Sequence, residues 1–269
     1  MSRYSRKLED NFLNYKLMND FYKLVTSTCL YFSVLHSVEA VVNIESLMQG
    51  AEFDMGWGAV GGFQVSGASG NADNSSTNVS SLLSHREGNV TNLFSLNLKR
   101  GESQGVKNAD RMTVHLRHMR DTIHSAGYEV YTQLQQNDFT NLEERLLAGG
   151  GRYVHFGDDV KSNFKIGFGG FYESERYKNA SSESGVRSNL YATYRYVFTN
   201  RSSFSSTVYL QNKLDGLSDR RALGDFVISF PVNESISIDF SLDLEYDSKP
   251  VVGIESTDWT YQSGVRFKF

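Results

Sequence analysis

Between residues 235 and 248, apolar and polar side chains alternate without interruption. Ile236, Ile238, Phe240, Leu242, Leu244 and Tyr246 fall on one parity, and Ser237, Asp239, Ser241, Asp243, Glu245 and Asp247 on the other. A period of two places the two sets on opposite faces of a strand. The final segment repeats the pattern, with Trp259, Tyr261, Val265, Phe267 and Phe269 set against Thr260, Gln262, Gly264, Arg266 and Lys268. Consecutive segments of this kind make an antiparallel pair with one face in an apolar medium and the other in a polar one.

A soluble sandwich satisfies that demand with a core and a solvent face, a membrane barrel with lipid and a lumen. Segments with the same rhythm lie at 56–67, 74–86, 89–100, 110–120, 127–138, 141–156, 162–173, 188–198, 202–213 and 220–232. With the two above they predict about twelve strands. The chain holds 2 Pro against 15 Tyr and 18 Phe, which suits strands, because Pro cannot donate to a ladder and aromatics favour strands and membrane interfaces. A mean hydropathy of −0.40, with no uninterrupted apolar run of about 18 residues, excludes a helical membrane protein, whose spans each need about 20 mostly apolar residues. A barrel needs an apolar residue only at alternate positions. The predicted fold is therefore all-β, a transmembrane antiparallel up-and-down β-barrel. An even strand count returns both termini to one side, expected to be periplasmic. The long connections around 175–187 and 248–258 follow the seventh and eleventh strands and would face outward, whereas those at 199–201 and 231–234 are short and would be periplasmic.

Residues 1–40 differ in pattern from the rest of the chain and are expected to be an export signal. Lys23 precedes the moderately apolar stretch 24–35, and Val38-Glu39-Ala40 supplies small residues for cleavage near Ala40. Translation from Met18 would give a signal of about 23 residues, within the usual range of roughly 15 to 30. Residues 41–269 then form one barrel domain destined for the cell outer membrane. The single cysteine, Cys29, lies inside the apolar stretch, so the exported chain would carry no disulfide and no thiol nucleophile. Charge argues against nucleic acid. The chain has 27 Lys and Arg against 31 Asp and Glu, and loss of residues 1–40 leaves it acidic, without the basic footprint that phosphate binding needs.

The most specific motif is Gln262-x-Gly264-x-x-Phe267-x-Phe269, ending on the last residue. It is similar to the polar-x-Gly-x-x-aromatic-x-aromatic terminal strand taken up by the outer-membrane barrel assembly machinery, which makes that machinery and outer-membrane lipid the expected partners. Further segments carry a family likeness. These are Asn43-Ile44-Glu45-Ser46-Leu47, then Glu143-Glu144-Arg145 leading into Gly149-Gly150-Gly151-Arg152-Tyr153. Tyr209-Leu210-Gln211 with Leu214-Asp215 comes next, and then Tyr246-Asp247-Ser248-Lys249-Pro250 with Gly253 and Asp258. Together they resemble domain-of-unknown-function family 481, a group labelled salt-induced outer-membrane proteins, over nearly all of the chain after the signal. The resemblance implies an outer-membrane barrel and brings no settled activity with it. Asn212 departs from the Pro expected there.

Glu143, Arg145, Lys165, Arg195, Asp239, Asp243, Glu245, Arg266 and Lys268 are the candidate lumen-lining residues. They could select small ions or solutes in a narrow channel, or neutralise one another as the polar filling of a structural barrel. The alternative is a barrel enzyme of lipase or protease type. Beyond residue 40 the chain offers His85, His115, His118, His124 and His155, of which His115 and His118, three apart on one strand, must point to opposite faces and cannot share a metal. The glycine clusters 149–151 and 167–170 precede no helical pattern, so they suit a bend in the wall rather than a phosphate cradle. No cofactor is expected.

Overall fold

The computed structural model describes residues 55–68, 74–103, 106–122, 125–138, 141–159, 161–178, 181–250 and 256–269. The expected signal, Met18, Cys29, Ala40, residues 43–47, His124 and Gly253 lie outside the described residues. Twelve strands run in chain order: β1 (Gly56–Ala68), β2 (Asn74–Glu87), β3 (Val90–Ser103), β4 (Val106–Asp121), β5 (Ala126–Asn137), β6 (Leu142–Asp159), β7 (Ser162–Tyr177), β8 (Glu183–Val197), β9 (Ser203–Lys213), β10 (Arg220–Pro231), β11 (Ile236–Asp247) and β12 (Thr257–Lys268). Each pairs antiparallel with its sequence neighbours, and β1 pairs with β12 to close an up-and-down barrel. Ala59 and Phe269 exchange both backbone hydrogen bonds, at 3.3 and 2.9 Å. The start of β1 and the end of β12 therefore share one rim, called here the terminal rim, and the opposite one is the distal rim.

Burial along the strands is inverted relative to a soluble protein. Outward positions carry exposed Trp57, Phe63, Phe156, Phe168, Tyr172, Phe230, Phe240, Tyr261 and Phe269, with Phe269 82% accessible. Among the most deeply buried side chains, beside Leu82, Leu147 and Tyr153, are Arg145, Arg187, His115, Gln133 and Gln135, all on the inner face. Bathing such an outer face in water would cost about 1.5–3 kcal/mol for each large apolar side chain, so a continuous belt of them belongs in lipid. Aromatic residues crowd the terminal rim, where Phe156 meets Phe164 at 5.8 Å and Tyr196 meets Phe198 at 5.1 Å, the placement of an interfacial girdle.

The glycines of β6 and β7 let the wall bend. A Cβ at Gly169 would lie 2.1 Å from the Gly150 carbonyl oxygen, which only glycine avoids. Several strands run past the sequence expectation, β3, β4, β7 and β8 among them. The connection expected at 175–187 is largely strand, since β7 runs to Tyr177 and β8 begins at Glu183. Beyond Tyr172 the outward positions Ser174 and Arg176 are polar, so the alternation stops while the ladder continues through Glu173↔Gly185 and Glu175↔Glu183. What remains, 178–182, is no longer than the connection 198–202 at the other rim, so connection length does not distinguish that pair of rims.

Candidate functional site

The inner face is set by parity, and neighbouring strands hand it on through the register. Arg145↔Glu175, Phe171↔Arg187 and Arg221↔Asp247 are cross-strand partners that all point inward near the distal rim. Their side chains meet in one buried ionic lattice. Glu173 accepts from three guanidinium groups, Arg145 at 2.7 Å, Arg221 at 3.1 Å and Arg187. Glu175 pairs with Arg145 at 3.1 Å and Arg221 at 2.9 Å, and the Tyr177 hydroxyl donates to it at 3.0 Å. Arg187 also reaches Asp219 at 2.7 Å, and Arg221 reaches Asp247 at 2.9 Å. Because β8 and β9 separate β7 from β10, the Arg221–Glu173 and Arg221–Glu175 bonds span a chord of the lumen. Desolvation opposes such pairs, but here each charge meets opposite charges and hydrogen bonds, the condition under which a buried pair is tolerated.

Smaller polar groups fill the space below the lattice. Arg117 pairs with Glu129 at 3.4 Å and its Nε donates to His115 Nε2 at 3.3 Å, while His115 Nδ1 lies 2.9 Å from Gln133 Oε1. Both His115 nitrogens are thus engaged, and His118 points outward to Asn92 at 2.8 Å. The Lys165 ammonium sits 5.6 Å from the Tyr153 ring and 5.3 Å from the Tyr191 ring, a favourable placement over two aromatic faces. Towards the terminal rim, Val60, Leu82, Leu93, Met119 and Tyr153 form a buried apolar cluster.

The inner surface is not uniform. From β5 to β10 nearly every inward side chain between the rims is buried. On β11, β12, β1, β2 and β3, Asp243, Glu245, Thr260, Gln262, Gln64, Asn78, Asn97 and Lys99 are only half-buried. Arg111 on β4 closes the circuit electrostatically, facing Glu245, Asp243 and Asp258 from across the barrel.

The sequence profile described as protein of unknown function, DUF481, matches residues 62–269. The chain belongs to that family. Among curated proteins, none matches significantly. Among solved structures, the NanC porin aligns with a TM-score of 0.51 at 12% identity, covering 79% of this chain and 100% of NanC. The KdgM porin gives 0.47 at 11% identity, covering 78% and 99% respectively. The translocator domain of the autotransporter NalP from Neisseria meningitidis gives 0.44 at 10% identity, covering 84% and 93%. The likeness to NanC is one of fold: this DUF481 chain has the barrel architecture of outer-membrane porins.

Within the DUF481 barrel, the predicted lumen residues separate into three groups. Arg145 and Lys165 are buried on the inner face, as is Asp239, which pairs with Arg266 at 2.6 Å near the terminal rim. Arg195, Asp243 and Glu245 point inward and are half-buried. Glu143 and Lys268 are not in the lumen. The ladder shifts register between Leu142 and Glu144, so Leu142 turns inward and Glu143 lies exposed, paired with Arg176 at 3.0 Å. Lys268 keeps inward parity but sits exposed at the mouth of the terminal rim. In the terminal motif, Gln262 faces the lumen, Phe267 and Phe269 stack outward with centroids 6.5 Å apart, and a Cβ at Gly264 would lie 2.2 Å from Gln64 Cγ. The lattice members Glu173, Glu175, Arg187, Asp219 and Arg221 escaped the sequence reading. For Glu173 and Glu175 the signal was parity, the odd-numbered series from Lys165 continuing through Glu175.

Proposed function

We propose that this protein is a narrow channel of the cell outer membrane, exported from the cytoplasm, with both termini on the periplasmic side. Its passage follows the half-buried wall of β11, β12, β1, β2 and β3, and the ionic lattice fills the opposite half. One observation carries the reading, the change from buried to half-buried inward side chains between the two walls. A twelve-stranded barrel lies between the eight-stranded barrels that side chains fill and the sixteen-stranded porins with wide channels, so side-chain filling decides how much passage is left. Along this wall Asp243 and Glu245 face Arg111, and small ions are the solutes that such a width and polarity admit.

In a planar bilayer at low salt, the purified protein should conduct in small, reproducible steps. Asp243→Asn with Glu245→Gln should move the reversal potential towards anion preference, because Arg111 and Lys99 would then dominate the local field. A protein without conductance, whose double variant changes only its unfolding midpoint, would instead be a structural barrel. The expected biogenesis partner is tested separately. Deleting Phe269 removes both backbone bonds to Ala59 and the terminal aromatic, and should lower the folded, heat-modifiable fraction in outer-membrane preparations several-fold. Unchanged yield would remove the assembly machinery from the account.

A further inference from the structure

The barrel is least complete where its first and last strands meet. β1 pairs with β2 over its whole length, from Gly56↔Arg86 to Ala68↔Asn74, and β12 pairs with β11 as far as Thr257. Between β1 and β12, however, the ladder runs only from Val60↔Lys268 to Gln64↔Gly264. β1 runs on to Ala68 and β12 begins at Thr257, but among the described residues the backbone register between them goes no further. In an antiparallel ladder, alternate residues turn both backbone groups to the same neighbour. The bonding of Ala59 to Phe269 and of Lys268 to Ser235 therefore fixes Val65 and Ser263 as the next hydrogen-bonded pair due at the seam, and the register ends one residue short of it, at Gln64↔Gly264.

The seam lies inside the apolar belt. Phe63, Val65 and Tyr261 flank it and are 48%, 56% and 76% accessible. Directly behind it stand the inward carboxamides Gln64, Asn78 and Gln262. Asn78 donates to Gln64 at 3.0 Å, while its own Oδ1 is buried without a partner. This is also the wall where the lumen is least filled. Lipid-facing walls avoid unpaired backbone, because hydrocarbon offers it no partner. Backbone left open at membrane depth is tolerated where it borders a polar cavity, and the half-buried carboxamides provide one.

We infer that the distal part of the β1–β12 seam is a lateral portal, through which a single-chain stretch of an amphiphile passes between the bilayer and the lumen. Its apolar lip, Phe63, Val65 and Tyr261, takes the acyl portion. Its polar inner edge, Gln64, Asn78 and Gln262, hydrogen-bonds the head group. The inference rests on the barrel spanning a bilayer and does not depend on ion conduction.

Two measurements on the full chain test it, in vesicles of phosphatidylcholine and in a Cys29→Ser background. In the first, Val65→Cys/Ser263→Cys is compared with Phe63→Cys/Val265→Cys, a pair of the same ladder type that is in register. Under mild oxidation the second pair should close at least tenfold faster. Equal rates would mean a zipped seam and overturn the portal. In the second, a benzophenone side chain at Gln64 should attach to phospholipid on irradiation, whereas one at the buried Gln211 on β9 should not. No lipid adduct at Gln64, or an adduct to a second copy of the chain, would overturn the portal, the latter in favour of strand pairing between barrels. Heat-modifiable migration certifies folding of each variant, and Asn78 serves as the labelling site if the Gln64 variant fails to fold. Conductance recorded on the same vesicles separates a sealed seam from the loss of the channel.

Discussion

The walls β5–β10 and β11–β3 obey the same alternation and both carry exposed large apolar side chains on the outer face, yet they treat the lumen differently. In the first, long cationic and acidic side chains meet across chords, with Glu173 holding Arg145, Arg187 and Arg221. In the second, many inward positions stay half-buried, short ones such as Ser80, Asn97, Ser241 and Thr260 beside longer ones such as Gln64, Lys99 and Glu245 that no chord-spanning lattice draws in, while Val60, Leu82, Leu93 and Asp239 are buried. The difference shows that strand number sets the circumference of a barrel, while side-chain length and charge pairing set how much of it water can use.

The contrast can be broken from either side. Glu173→Ala should produce the larger change, because three buried guanidinium groups lose a shared acceptor. Removal of one partner from a buried pair typically costs about 3–5 kcal/mol, read as a lower urea midpoint for the reconstituted protein. Asp243→Asn on the looser wall should stay within about 1 kcal/mol, since the group is half-buried and solvent screens it. Equal losses from the two variants would remove the distinction between the walls.

A smaller effect sharpens the same comparison in the backbone. Gly169→Ala drives its Cβ against the Gly150 carbonyl oxygen, a contact that neither strand can relieve by a side-chain rotation. Overpacking of this kind costs about 1–3 kcal/mol. Gly61→Ala on β1 meets nothing within 4 Å and should leave the unfolding midpoint unchanged. If the two alanine variants unfold together, the glycine bend of β6 and β7 has no energetic role.

The strands were legible in the sequence because two media act on them at once. An apolar surround and a polar lumen force every second residue to change character, as in Ile236 to Asp247. The signal fails where one medium is lost. Above Tyr172 the outward Ser174 and Arg176 are polar and the alternation ends, so the distal ends of β7 and β8 read as a loop although Glu173, Glu175 and Arg187 hold them together. Glu143 was misplaced for a different reason: a single register shift after Leu142 reverses the parity on which its assignment depended. The approach of Arg221 to Glu173, and of Arg111 to Glu245, depends on the curvature of the closed wall, which no single strand encodes.

The order of strands also dictates an order of events in folding. Eleven of the twelve pairings join neighbours in sequence, so each is a hairpin whose closure entropy is small. The β1–β12 pairing joins Val60 to Lys268, nearly the full length of the barrel, and it carries the whole long-range entropy cost of the fold. It is also the shortest ladder. Closure is therefore the last step in assembly and the first to reverse, and until it happens two strand edges stand open to neighbouring chains. Pulsed hydrogen exchange during refolding into vesicles should find the amides of β6 and β7 protected before those of Gly61 and Phe63, which place the kinetic bottleneck at the seam.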